Sequence, residues 1–256
     1  MDLGLNSRVA LVLGAGGGLG GAIALSLAKE GAAVAIADIN GEALSMTRAA
    51  IASADGRCIE LIWDLADLNQ IEANVARIER ELGSVDILVN NTGGPPPTRV
   101  SGQSPDAWSK NFNAMVLSVV ALTDHVLPAM IEKKWGRVIT STSSGVVAPI
   151  RNLGLSNALR SSLVGWSKTL AREVAPFHIT ANIVLPGRIA TRRIRSLDEA
   201  KAKRENRTVD LVVRESTASI PLGRYGTPDE YGDVVNSSRA LARPISPARS
   251  FASTAA

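Results

Sequence analysis

The chain of 256 residues holds a single cysteine, Cys58, two histidines and only 4% aromatic residues. One thiol excludes an intrachain disulfide framework and suits a reducing compartment. His125 and His178 stand isolated, without triad or metal-ligand spacing, and no G-x-S-x-G elbow occurs, so neither a metal centre nor a hydrolase nucleophile is indicated. Charge of one sign is also scarce. A formal net charge of +4, with a sequence pI near 9.5, is too mild for nucleic-acid binding without a clustered basic face. The N-terminus lacks a basic-then-apolar leader, and no apolar run reads as membrane-spanning. A cytoplasmic chain without nucleic-acid or membrane partners is therefore expected. With so few aromatics, Ala, Val, Leu and Ile must fill the core, and 45% hydrophobic content over this length fits one sizeable domain, residues 1–256.

Glycine is not scarce, and its placement organises the rest. Gly14-Ala15-Gly16-Gly17-Gly18-Leu19-Gly20 follows the apolar run Val9–Leu13 and precedes a helical pattern over residues 22–29. Strand, glycine turn and helix make a phosphate cradle: glycine permits close backbone approach, and the helix offers free N–H groups to negative charge. A second apolar run, residues 33–37, ends at Asp38. A carboxylate there can accept hydrogen bonds from an adenosine ribose and repel the extra phosphate of NADP, favouring NAD. The competing role for Asp38 is to cap the helix beginning at Gly41.

Alternation continues with helix 42–51, strand 58–62, helix 68–82, strand 85–89, helix 105–133, strand 137–141, helix 155–175 and strand 179–185. It predicts an α/β fold, a doubly wound parallel sheet with its ligand at the carboxyl ends of the strands. Pro95, Pro96 and Pro97 exclude helix or inner strand from their loop.

The spacing G-x3-G-x-G, the run Asn90-Asn91-Thr92-Gly93 and the run Pro186-Gly187-Arg188-Ile189-Ala190-Thr191 occur in that order. They resemble the T-G-x3-G-x-G, N-N-A-G and P-G-x3-T motifs of the short-chain dehydrogenase/reductase family, with Leu13 and Thr92 as departures. The resemblance spans about residues 9–191 and is similar in general character to oxoacyl-carrier-protein reductases. It implies a single-domain Rossmann fold with NAD bound by Gly14, Gly16, Gly17, Gly18, Leu19, Gly20 and Asp38. Asp64 and Leu65 would lie beside the adenine, and Asn91, Thr92 and Gly93 on the cofactor side of the sheet. Arg160 could bind the ribose or an oxyanion, and Pro186, Gly187, Ile189 and Thr191 would face the nicotinamide. For Asp64 a helix cap at residue 68 is the alternative. Residues 188–220 correspond to a small helical substrate lid. Most of its charges, Arg192, Arg193, Arg195, Lys201, Lys203, Arg204, Arg207 and Arg214, are expected on a solvated face, with a few available to guide an anionic substrate.

In that family a Tyr protonates the developing alkoxide, aided by a Lys four residues later, a Ser and an Asn. Register from Gly136-Arg137 puts the Ser slot at Ser143, the Tyr slot at Ser156 and the Lys slot at Arg160; the Asn slot falls on Met115. Asn113 lies about 200° around a regular helix from that slot. Serine is a far weaker acid than a phenol, Arg is not deprotonated, and Met cannot join a water relay. Two functions follow: an NAD(H)-linked oxidoreductase for an alcohol or ketone with a degenerate site, or a dinucleotide-binding homologue without turnover, serving as regulatory or partner subunit. Ser156 and Arg160 as a helix cap and a surface cation are the alternative to any chemistry.

Family-like sequence ends near residue 235. The Ser-, Pro-, Ala- and Arg-rich tail 236–256 is expected to supply no buried strand and to pack poorly. A frameshift in the gene accounts for such a break, since another frame of codons for residues 246–256 can read A-G-A-I-F-R-V-D-G-G. A homo-oligomer, dimer or tetramer, is expected if the tail permits it.

Overall fold

The structure is a computed structural model and describes residues 4–237 and 250–253. Seven parallel strands form one sheet in the order β3-β2-β1-β4-β5-β6-β7. They are β1 (Val9–Leu13), β2 (Ala33–Asp38), β3 (Cys58–Ile62), β4 (Ile87–Asn90), β5 (Gly136–Ser141), β6 (Ile179–Pro186) and β7 (Ser250–Ser253). The helices are α1 (Gly18–Lys29), α2 (Gly41–Ala52), α3 (Gln70–Glu81), α4 (Pro105–Phe112), α5 (Ser118–Lys133), α6 (Gly154–Val174), α7 (Arg192–Glu205), α8 (Val209–Ala218) and α9 (Pro228–Ser237).

The strands read as unbroken apolar runs because both faces of the sheet are covered. Ala10 and Val12 of β1 join Val34 and Ile36 of β2 in a core under α1, α2 and α9. Val9, Leu11 and Leu13, with Ala35 and Ala37, point the other way and pack under α3, α5 and α6. Strand order reverses between β1 and β4, so the crevice at their carboxyl ends is the place where such sheets bind ligands. At the opposite edge the buried Asp86 carboxylate accepts Val9 N at 3.0 Å and Lys133 Nζ at 2.8 Å, pinning β1 and α5 to the start of β4.

Several expected boundaries change. The first helix begins four residues early, at Gly18, and α3 begins at Gln70 instead of residue 68. The expected helix 105–133 is broken by a π-helical turn, Asn113–Leu117. By length and composition the run Pro105–Lys133 is apolar enough to cross a membrane, with mean hydropathy 1.8, which corrects the reading that no such run exists. Here Leu122, Val126 and Met130 spend that apolarity on the sheet.

The tail expectation is also corrected. Residues 250–253 pair with β6, Ile183 opposite Ser250 and Pro186 opposite Ser253. A parallel edge ladder is made by backbone groups, so composition alone did not exclude it. Asn236, at the point where family-like sequence ends, is buried in α9 and donates to Ser26 O and Ser26 Oγ on α1, both at 3.1 Å. The remainder of the tail expectation, at 238–249 and 254–256, lies outside the described residues.

Candidate functional site

The glycine turn closes over the end of β1 because nothing larger fits. Gly14 sits at φ +58°, and a Cβ there would lie 2.6 Å from Asn91 O. A Cβ on Gly20 would strike Gly14 O. Asn91 Nδ2 donates to Leu13 O and Gly14 O at 3.2 and 3.3 Å, locking the ends of β1 and β4 together. At the start of α1, Gly17 provides no side-chain cap. The first N–H groups, on Gly18 and Leu19, therefore face the crevice available to an anion. Across the crevice Thr191 Cγ2 would stand 3.7 Å from a Cβ on Gly18.

Asp38 closes one side of the crevice. One carboxylate oxygen accepts Gly16 N at 3.0 Å and the other accepts Asn40 N at 3.0 Å. The capping role weighed for Asp38 belongs to Asn40, whose side chain accepts Ala43 N at 3.0 Å. Ile39 follows Asp38 and Ile62 lies opposite it in the sheet, exposed by 69% and 70%; exposure of this kind is not visible in an apolar run. Asp64 is exposed, and its Oδ1 accepts Ala66 N at 3.0 Å. It is not the cap of α3, which Asn69 precedes without a side-chain bond. Leu65 leans on the core beneath.

On the far side of the crevice, Pro186 ends β6, Gly187 follows it, and Ile189 is buried and paired with Gly226. Thr191 caps α7, accepting Ile194 N at 3.3 Å. The Thr92 hydroxyl is buried without a partner among the described residues.

The four positions expected to fill catalytic slots differ in character. Ser143 Oγ accepts Gly145 N at 3.1 Å, which leaves its proton free to donate. Ser156 lies in the first turn of α6, 7% exposed, and its hydroxyl bonds to no described residue. It is not a helix cap, because Leu153 holds that position. Arg160 is not a surface cation either. Its Nη1 donates to Ser141 O at 3.2 Å, and its Nη2 to Thr92 O and Gly93 O, each at 3.0 Å. Burial, reinforced by the nearby charge of Arg193, pushes its pKa down to about 10. Met115 is 3% exposed in an apolar cluster with Trp108, Val119, Leu159 and Leu163. The π-turn does not turn Asn113 inward; it stays exposed.

The lid charges divide. Arg195, Lys201 and Arg207 pair with Glu199 and Glu215 on exposed faces, as expected. Arg193 instead reaches Pro95 O at 2.6 Å, in the loop after β4. Asp198, 2% exposed, binds Arg188 at 3.0 Å and accepts from Tyr225 Oη at 2.8 Å, tying α7 to both neighbouring loops. Beneath Arg160 the buried Tyr231 hydroxyl lies 2.9 Å from Ser141 Oγ. Sequence reasoning found neither Asp198 nor Tyr231, since no spacing rule joins residues that meet only through tertiary packing. A cavity of ≈ 490 Å³ opens between the loop after β4 and the start of α6, lined by Arg99, Val100, Ile150, Arg151, Gly154 and Asn157 among others.

Comparison with known proteins places these features in context. Residues 8–202 match a family model described as short chain dehydrogenase. A 3-oxoacyl-(acyl-carrier-protein) reductase of Escherichia coli K12 is 35% identical over 230 residues, covering 89% of this chain and 88% of the relative. The structure of an NAD+-bound xylitol dehydrogenase superposes with TM-score 0.89 at 25% identity, covering 98% of this chain and 99% of that one. An actinorhodin polyketide ketoreductase with NADPH does so with TM-score 0.89 at 29% identity, covering 97% and 96%.

Proposed function

We propose that this chain, which belongs to the short-chain dehydrogenase family, uses NAD(H) in preference to NADP(H). We further propose that it interconverts an alcohol and a ketone through an altered set of catalytic groups. An NAD(P)-dependent oxidoreductase of alcohols and ketones is what family membership establishes. The relatives include NAD+-bound and NADPH-bound proteins, so the choice between cofactors rests on Asp38. Its carboxylate, held against Gly16 N at 3.0 Å, is the observation that carries the reading. A ribose 2′-phosphate at that point would meet a fixed negative charge, whereas a ribose hydroxyl would meet an acceptor.

The crevice residues fit a dinucleotide: a cradle that any Cβ at Gly14 or Gly20 would fill, an uncapped helix start, and one carboxylate. When bound, NAD(H) takes up or delivers the hydride. The chain's own contribution is positional and electrostatic. Ser143 Oγ, already accepting from Gly145 N, is free to donate its proton in a hydrogen bond to the substrate oxygen. Ser156 supplies a second hydroxyl with no competing partner among the described residues. Arg160 holds positive charge beside them and stabilises a developing alkoxide, but at a pKa of about 10 it remains charged at neutral pH, so the proton comes from water. Asp64, Leu65, Asn91, Thr92, Gly93, Pro186, Gly187, Ile189 and Thr191 would wall the cofactor, with residues 188–220 as lid, in a homo-oligomer.

A second reading has its own support. Three backbone carbonyls already occupy Arg160, and Met115 seals the slot where a water relay would run. Both features suit a dinucleotide-binding homologue without turnover. Calorimetric titration with NADH and NADPH, followed by a carbonyl panel, separates the readings. NADH is expected to bind at least about tenfold more tightly than NADPH, and Asp38→Asn to erase most of that margin. Equal affinity in the unaltered protein would remove the NAD assignment; NADH binding without hydride transfer to any carbonyl would favour the second reading.

A further inference from the structure

One charged group at the crevice is left unused by this chemistry. Arg193 stands two residues past Thr191, and its guanidinium crosses to the loop after β4. A Cβ on Gly94 would lie 3.4 Å from Arg193 Nη2 and 3.7 Å from Arg160 Nη2, so two guanidinium groups converge on one glycine. Every acceptor they contact is a neutral backbone carbonyl: Ser141, Thr92 and Gly93 for Arg160, Pro95 for Arg193. Neither has a carboxylate within ion-pair distance among the described residues. Several arginines of the same region do: Arg188 pairs with Asp198, Arg195 with Glu199, Arg207 with Glu215 and Arg224 with Glu230. Two neighbouring cations without an anion repel each other and forgo the bidentate ion pairs that guanidinium forks favour. Both are held below the ordinary arginine pKa by burial, Arg160 additionally by Arg193 itself.

We infer that Arg160 and Arg193 form an oxyanion clamp, and that the compound oxidised or reduced here carries a carboxylate or phosphate held between them. The inference rests on the oxidoreductase reading and names its substrate class. The same chemistry could be supplied by the cofactor's own diphosphate. That group, however, has its cradle at Gly14–Gly20, while the clamp lies on Gly93, Gly94 and Pro95, on the side of the crevice where Arg160 reaches the end of β5. Gly94 lies within ordinary contact distance of both guanidinium heads.

The test is calorimetric titration of the full chain, with and without NADH, using short 2-oxo and 3-oxo acids, each against its own methyl ester. The acids are expected to bind at least about tenfold more tightly than their esters. In Arg193→Met the ratio should fall to near parity, and in Arg193→Lys it should recover in part. No acid preference in the unaltered chain, or a preference that survives Arg193→Met, would overturn the clamp. Reduction of the esters by NADH in that case would leave the oxidoreductase reading standing. If Arg193→Met loses NADH affinity while the acid-to-ester ratio holds, the pair serves the diphosphate and the inference fails. Failure of NADH to bind at all tells against the cofactor reading alone, because the titration without NADH still reads the acid preference.

Discussion

Arg160 does more than carry a charge. A lysine ammonium is a point charge that can lose its proton, whereas a guanidinium is a fork that binds several acceptors at once. Here the fork draws together the chain ends of β4 and β5, through Thr92, Gly93 and Ser141. Directly below, burial pushes the Tyr231 phenol up to about 12, opposed by its bond with Ser141 and by the charge of Arg160. Tyr225 is also raised, by burial and by Asp198. These are the chain's two tyrosines. A raised phenol keeps its proton in the folded state after the unfolded chain, titrating near ~10, has lost it. Each therefore contributes stability that is complete below about pH 10 and is lost as pH rises toward the folded value. Near-ultraviolet titration should show little tyrosinate in the folded protein at a pH where the urea-unfolded chain is already half ionised. Coincident titration of the two states would contradict the burial of Tyr231.

Among the elements, α7 carries the largest discrepancy between appearance and role. Its sequence is so charged that a solvated helix is the natural expectation, and most of its surface obeys. Asp198 does not, because it is buried and receives both Arg188 and Tyr225. The segment is thereby latched to the loop after β6 and to the loop before α9, and Arg193 is carried to its place over Pro95. Asp198→Ala leaves the Tyr225 hydroxyl and a half-exposed Arg188 without their acceptor. It should cost about 1–3 kcal/mol, read from urea unfolding, and speed amide exchange in α7 well before global unfolding. Asp198→Asn should retain part of both. Unchanged exchange in the Ala variant would show that the helix is held by other contacts.

Across the whole molecule, the two edges of the sheet do different work. At the carboxyl edge, glycines, Asp38, Arg160 and Arg193 line a crevice. The amino edge is sealed by Asp86, which holds Val9 N, Lys133 and Arg8 together. Asp86→Ala should lower stability by about 2–4 kcal/mol, measured as a lower urea midpoint, while NADH affinity stays within about twofold because the change lies across the sheet from the crevice. A comparable loss of affinity would mean that the edges are coupled. The sheet's last strand belongs to this scale too. Its composition argued against a strand, but the free edge of β6 offers backbone donors and acceptors that residues 250–253 can meet whatever side chains they carry.

What the sequence by itself determined is what depends on neighbours in the chain. Apolar runs separated by helical periods specify a doubly wound parallel sheet, and a glycine string between strand and helix marks the crevice. A carboxylate at the end of the second strand borders that crevice. Counting residues against the family's motif pointed to Ser143, Ser156, Arg160 and Met115 as the positions to inspect. What only the tertiary structure decided is which groups meet from distant segments. Asn40, not Asp38, caps α2; Asp198 is a buried latch; Tyr231 rests on Ser141; and Arg193 joins Arg160 over Gly94. Each of these depends on burial and on the direction of a long side chain. Periodicity reports which face of an element is apolar, but not which charged head group will be carried across a loop to a carbonyl it has no local reason to meet.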